Sequence, residues 1–216
     1  STECQICPVH AETNMLMRRI GHDLRGPLRA LQILPDWIAE EFEESETEIP
    51  SQASEYMDMI KHKASQMDGL LSSLLEYALV ANPDSAATRI DPEAEIEQLA
   101  QSSLKDGSCE ITVDPALSGL KVVADDFRIL FRHLLTNATR HHGEGDVYVR
   151  VTGYPKGNWA VFSVEDNGPG IEKRFHQSIF EPFVTLKPRD EVEGSGLGLA
   201  VVNKIAQGWG GVGIFR

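Results

Sequence analysis

The chain has 216 residues, 41% of them hydrophobic and 25% charged, with 33 acidic against 20 basic side chains for a net charge of −13. This length suits two domains of ordinary size. No apolar run reaches the roughly 18 residues of a membrane span, and so acidic a surface repels a phosphate backbone, so neither membrane contact by this segment nor nucleic-acid binding is expected.

Cys4, Cys7 and His10 in the run CQICPVH have ligand spacing, but they offer three donors where a structural zinc takes four. Residues 1–12 therefore read as a linker with reduced thiols. With no signal-peptide pattern at the start, the expected location is cytoplasmic.

From Met17 to Ile38 the apolar positions Met17, Ile20, Leu24, Pro27, Leu31, Leu34 and Ile38 alternate in threes and fours, the seam of a helix packed in a bundle. A second seam runs through Met57, Ile60, Ala64, Met67, Leu71, Leu74 and Ala78. Together they predict an antiparallel helical hairpin over residues 13–82, with the acidic stretch Glu40–Glu48 as its solvated tip. Two helices leave each seam half exposed, and pairing two hairpins closes a four-helix bundle, so the pattern predicts a homodimer. Asn82, Pro83 and Asp84 end the second helix. Residues 83–216 then alternate β-like runs, at 147–151 and 159–166, with amphipathic stretches near 92–104, 125–141 and 196–207, an α/β layered domain.

On the helix-one seam, His22 takes the heptad position furthest from the core. An outward histidine satisfies no buried polar group. Asp23 beside it can orient the ring and accept its proton, and Arg18, Arg25 and Arg29 lie on the same face, where a phosphate is welcome. In the second domain, Asn137 in HLLTNATRH sits on a helix whose apolar partners face inward, free to hold hydrated magnesium. Asp166 in VEDNGPGI follows a strand and can read an exocyclic amine, with glycines that admit close backbone approach. GSGLGLA, residues 194–200, puts glycines just before a helix, where free N–H groups and the positive dipole end receive phosphates.

The run HDLRGPLRAL from His22 to Leu31 resembles the phosphoacceptor motif of the dimerisation domain of sensor histidine kinases. The three later runs, in this order and with FEPF at 180–183 between them, resemble the N box, the glycine boxes and the F box of the Bergerat ATP-binding fold. The resemblance covers residues 13–212. It implies a histidine kinase that uses ATP and Mg2+ to phosphorylate His22, with Asp23 as base and Arg25 in the catalytic set, and that passes the phosphoryl group to an aspartate on a response regulator receiver domain. Pro27 is the helix-bending proline of that motif. The implied nucleotide site comprises Asn137, also the magnesium ligand, with Arg140, His141, Asp166, Gly168, Gly170, Ile171, Phe183, Lys187, Gly194, Ser195, Gly196, Leu197 and Gly198. His133 is a further candidate metal contact.

Three departures qualify the resemblance. His133 stands where kinases usually have asparagine and where ATP-hydrolysing relatives such as gyrase have a water-activating glutamate, which favours transfer over hydrolysis. Gly26 stands where kinases that also dephosphorylate their partners often carry threonine or asparagine. The chain stops at GGVGIFR, short of the strand that usually completes the fold, and it carries no upstream sensor domain. The alternative reading is a non-catalytic dimeric phosphotransfer scaffold with a degenerate nucleotide domain. Thr185 to Gly194, polar and with little to bury, is expected to be a mobile lid that closes when Lys187 or Arg189 meets nucleotide phosphates.

Overall fold

A computed structural model describes residues 8–103, 108–140, 146–186, 195–211 and 213, with side chains from Met15 onward. The chain divides into two compact units. One is a hairpin running through Leu79; the other runs from Val80 to Leu186 and resumes at Gly196.

The hairpin is two long helices, α1 (Pro8–Glu44) and α2 (Ser51–Leu79). The first starts inside the stretch 1–12 expected to be a linker. Pro8 explains the start, since a first-turn proline loses no intrahelical donor and has its φ already set. Pro27 and Pro35 both lie within α1, so two backbone N–H groups are missing from its ladder and packing against α2 has to hold the helix together. That packing centres on Leu28, Leu71 and Leu75, with Met17 against them. Among the described side chains of α1, Gly21 and Pro35 are the other buried positions, each seven residues from Leu28. The intrachain contact line is therefore Gly21–Leu28–Pro35, turned to one side of the predicted seam. In α2 the predicted seam splits. Ala64 and Leu71 are buried, whereas Ile60, Met67 and Leu74 are exposed. Lys61 Nζ lies 2.6 Å from Asp36 Oδ1, a cross-helix pair between exposed side chains.

The second unit layers helices on a sheet. Strands β1 (Thr88–Ile90) and β3 (Leu120–Val122) form an antiparallel pair. A three-stranded sheet has the order β2 (Ser108–Val113), β4 (Tyr148–Lys156), β5 (Trp159–Asp166), with β2 parallel to β4 and β5 antiparallel to it. Helices α3 (Pro92–Ser103), α4 (Ala124–Arg140) and α5 (Gly198–Gly208) complete the unit. The core lies between sheet and helices. Val149 and Val151 point inward with period two, as a strand with one buried face requires. They join Phe127, Phe131 and Leu135 of α4. Phe162 meets Phe127 and Phe131 edge-on, with ring centroids 5.7 and 5.4 Å apart. Gly153, its cross-strand partner, makes the room: a Cβ there would come within 2.7 Å of the Phe162 ring.

Val80 and Ala81, placed with the hairpin by the sequence, belong to this second unit. Val80 is buried, and the Ala81 N–H donates to Asp126 Oδ2 on α4 at 3.1 Å. Burial and a tertiary hydrogen bond set this boundary, and Asn82–Pro83–Asp84 lies just beyond it.

Candidate phosphoacceptor and nucleotide site

Three of the predicted residues lie on α1 in the hairpin. The His22 side chain is 89% exposed, and its Nδ1 is 3.1 Å from Asp23 Oδ1. With Nδ1–H donated to the carboxylate, Nε2 keeps its lone pair and points away from Asp23, the ring's side-chain partner among the described residues. Arg18, Arg25 and Arg29 are exposed at offsets of one and two turns, so the imidazole stands in a patch of cationic side chains. Two other motif residues carry no visible bond here: Leu28 is core, and a Cβ on Gly26 would meet nothing within 4 Å.

Apart from Ser195, the remaining described candidates lie in the second unit. Asp126, His133, Asn137 and Arg140 succeed one another by seven, four and three residues along α4, which puts them on one side of the helix. Phe127, Phe131, Leu135 and Ala138 take the core side. His133 reaches the start of α5. Its Nδ1 would be 3.1 Å from a Cβ on Gly198, so the imidazole packs on the first residue of that helix. Leu197, at the N-cap of α5, supplies no side-chain cap, and the start of a helix is a place where backbone N–H groups can receive an anion.

Asp166 ends β5 and is exposed. Its Oδ1 accepts the Gly168 N–H at 2.8 Å, and its second oxygen carries no hydrogen bond among the described residues. That carboxylate edge can accept an amine. Gly170 has φ +73°, a value that favours glycine, and Ile171 O accepts from His176 Nε2 at 2.8 Å. The F box and second glycine box meet directly. Phe183 N–H donates to Gly196 O at 3.0 Å. Gly196 has φ +68°, and a Cβ there would fall 2.8 Å from both Phe183 C and Val184 O. Ser195 is half-buried and Leu197 is fully buried. His141, Lys187 and Gly194 fall outside the described residues, as does the predicted lid from Lys187 onward.

Sequence reasoning missed the strain at Phe183, a non-glycine residue with φ +66° whose ring is exposed. No local signal marks it, because the conformation comes from the bond to Gly196. It also missed Gly21, which looks like an ordinary helix residue but is buried against Leu75.

Residues 122–214 match the model of the histidine kinase-, DNA gyrase B- and HSP90-like ATPase family. The sensor protein RstB of Escherichia coli K12 is 31% identical over 210 residues, which span 93% of this chain and 45% of RstB. Over these lengths the chain is similar to the catalytic core of sensor histidine kinases. Full-length ShkA in complex with AMPPNP superposes on 92% of this chain and 42% of ShkA, with TM-score 0.66 and 21% identity, a likeness of fold. Histidine kinase ThkA in complex with the response regulator TrrA covers 94% of this core and 58% of ThkA, with TM-score 0.56 and 16% identity. The chain thus spans less than half of the length of RstB. Its architecture is the helical hairpin followed by the Bergerat α/β sandwich. Among the described residues, no helix of this core is long and apolar enough to cross a membrane.

Proposed function

We propose that the chain is an ATP-dependent protein histidine kinase that phosphorylates His22 and then transfers the phosphoryl group to an aspartate of a response regulator receiver domain. The observation that carries this reading is the exposed His22 imidazole with Nδ1 on Asp23, in a chain whose second unit has the family's ATP-binding fold. In the first step Nε2 attacks the γ-phosphorus. The P–N bond forms, the bond from phosphorus to the β,γ-bridging oxygen breaks, and ADP leaves with that electron pair. The Nδ1 proton passes to Asp23, so the phosphohistidine ring forms without a positive charge.

The nucleotide would be held by Asp166 at the adenine amine and by the uncapped start of α5 at the phosphates, with Arg140 adding charge. Asn137 offers magnesium a hard amide oxygen. Among the described residues no cluster of three or more His, Cys, Asp or Glu side chains could hold a metal without help, so Mg2+ fits here only as an ion shared with nucleotide phosphates and water. It would neutralise charge on those phosphates.

A homodimer belongs to the same reading. Ile20, Leu24, Leu31, Leu34 and Ile38 of α1 are 40–47% exposed, and Ile60, Met67 and Leu74 of α2 are exposed with them. A second hairpin against these faces would close the four-helix bundle. The partner class follows ThkA, whose complex contains a response regulator, and the location is taken as cytoplasmic.

The His133 ring against Gly198 favours one second reading, the phosphotransfer scaffold with a degenerate nucleotide domain. Incubation of the purified chain with γ-labelled ATP and Mg2+ separates the two. The kinase acquires acid-labile, base-stable label on protein. A chain that binds no nucleotide and takes no label is the scaffold.

A further inference from the structure

The turn that follows Asp166 has open space at its centre. Gly170 takes φ +73°, and a Cβ on it would meet nothing within 4 Å, so no crowding holds it there. A stretch with two glycines in three residues also loses more backbone freedom on ordering than most sequences would. The shape of Gly168, Pro169 and Gly170 therefore depends on what grips the chain on either side. Upstream, the Asp166 carboxylate accepts the Gly168 N–H at 2.8 Å. The Asn167 amide spans two backbone groups at the start of β4: its Oδ1 accepts the Tyr148 N–H at 2.9 Å, and its Nδ2 donates to Asp146 O at 3.1 Å.

Downstream the grip is His176. Its Nε2 lies 2.8 Å from Ile171 O, and a ring nitrogen that faces a carbonyl oxygen at that distance has to carry the proton, so the imidazole donates. The ring is half-buried. Between the two residues runs a single 3₁₀ turn, Lys173–Phe175, and the His176 backbone N–H closes it on Lys173 O at 3.3 Å. The next turn, Ser178–Phe180, packs against α5 with Ile179 buried. His176 is thus carried by a segment anchored on a helix of the same unit.

We propose that His176 is a positioning residue for nucleotide binding: by donating to Ile171 O it fixes the exit of the glycine turn, which then already has the shape that receives adenine. This rests on the assignment of Asp166 to the adenine amine. A ligand that meets a turn gripped at both ends has little to order, whereas a turn gripped only upstream must be ordered out of the binding energy. Losing the bond weakens the bound ground state and the transition state alike, so the effect falls on affinity and spares the rate at saturation.

The test compares wild type, His176→Leu, His176→Asn and His176→Gln in the full chain. Leucine removes the donor, asparagine has a donor too short to reach, and glutamine places its Nε2 as many bonds from Cα as the imidazole does. Calorimetric titration with a non-hydrolysable ATP analogue and Mg2+ gives the dissociation constant, and labelling at saturating Mg-ATP gives the rate. His176→Leu and His176→Asn are expected to bind about tenfold more weakly, with the rate at saturation within twofold of wild type. His176→Gln should stay within twofold in both. The first two variants differ in polarity, so if one fails to fold the other decides. Wild-type affinity in either overturns the proposal, as does a rate at saturation that falls with the affinity. An equal loss in His176→Gln overturns it too, because ring packing and not the bond would then be responsible. Each of these outcomes leaves the assignment of Asp166 standing. A wild-type chain that binds no analogue removes that assignment, and the proposal with it.

Discussion

A Cβ on Gly21 would lie 2.3 Å from Leu75 Cδ1, so the absence of a side chain next to His22 is what lets α1 and α2 approach at the level of the phosphoacceptor. Leu75 is itself buried and has little room to swing aside. Gly21→Ala sets two effects against each other. Alanine gains about 1 kcal/mol of helix propensity, and overpacking costs about 1–3 kcal/mol. Overpacking should win, and the cost should be non-additive with Leu75→Ala in a double-mutant cycle followed by loss of helical circular dichroism. Gly26 is the control. Its Cβ would meet nothing within 4 Å, so Gly26→Ala should stabilise by up to about 1 kcal/mol. A destabilising Gly26→Ala beside a neutral Gly21→Ala would reverse this picture of the hairpin.

His22→Gln should abolish labelling and leave nucleotide affinity within twofold, since among the described residues the His22 side chain bonds only to Asp23. Retained label would move the acceptor to another residue.

Asp166→Asn tests the pocket. One carboxylate oxygen is taken by the Gly168 N–H, so an asparagine that keeps this bond turns its NH2 toward the position from which the second oxygen would accept the adenine amine. The unmet pair should cost about 2 kcal/mol, roughly thirtyfold in affinity. Calorimetric titration with an ATP analogue measures it, and wild-type affinity would place adenine elsewhere.

Gly196→Ala meets two obstacles. Its φ of +68° costs a side chain about 1–2 kcal/mol, and the added carbon falls 2.8 Å from backbone atoms of residues 183 and 184, which cannot rotate away as a side chain could. Nucleotide affinity should drop tenfold or more, with a lower melting temperature. If both stay at wild-type values, the link between the F box and the glycine box is not part of the site.

Glu95 and Arg128 tie α3 to α4 through two bonds of 2.7 and 2.8 Å, with Asp125 3.1 Å from a third guanidinium nitrogen. The Arg128 hydrogen bond holds the Glu95 carboxyl below its ordinary range, outweighing burial, which pushes it up. A folded-state pKa below the unfolded one gives stability that is fully present above about pH 4.3 and is lost as pH falls through the depressed value. Arg128 is nearly half exposed, so solvent screening keeps the contribution to at most about 1 kcal/mol. Urea unfolding of Glu95→Gln should show this deficit at pH 7 and a smaller one in acid below about pH 4. A deficit that grows on acidification would contradict the sign.

The candidate site rests on signals that are local in the sequence. A glycine run before a helix, an acid at the end of a strand and a histidine on the polar side of an apolar seam each need only a few neighbouring residues, and the periods of helix and strand put those residues on known faces. The join between the two units is less local: punctuation residues such as Pro83 suggest where a chain turns, whereas Val80 and Ala81 belong to the second unit through burial and the bond to Asp126, 45 residues away. Only the tertiary structure could turn the contact line of α1 from the apolar seam to Gly21, Leu28 and Pro35. Which stripe a helix buries depends on the shape of its neighbour, and here Leu75 needs the space that Gly21 leaves. The strain at Phe183 and Ala81 is of the same kind, since nothing in a phenylalanine or an alanine announces a positive φ and only partners distant in sequence can hold one there.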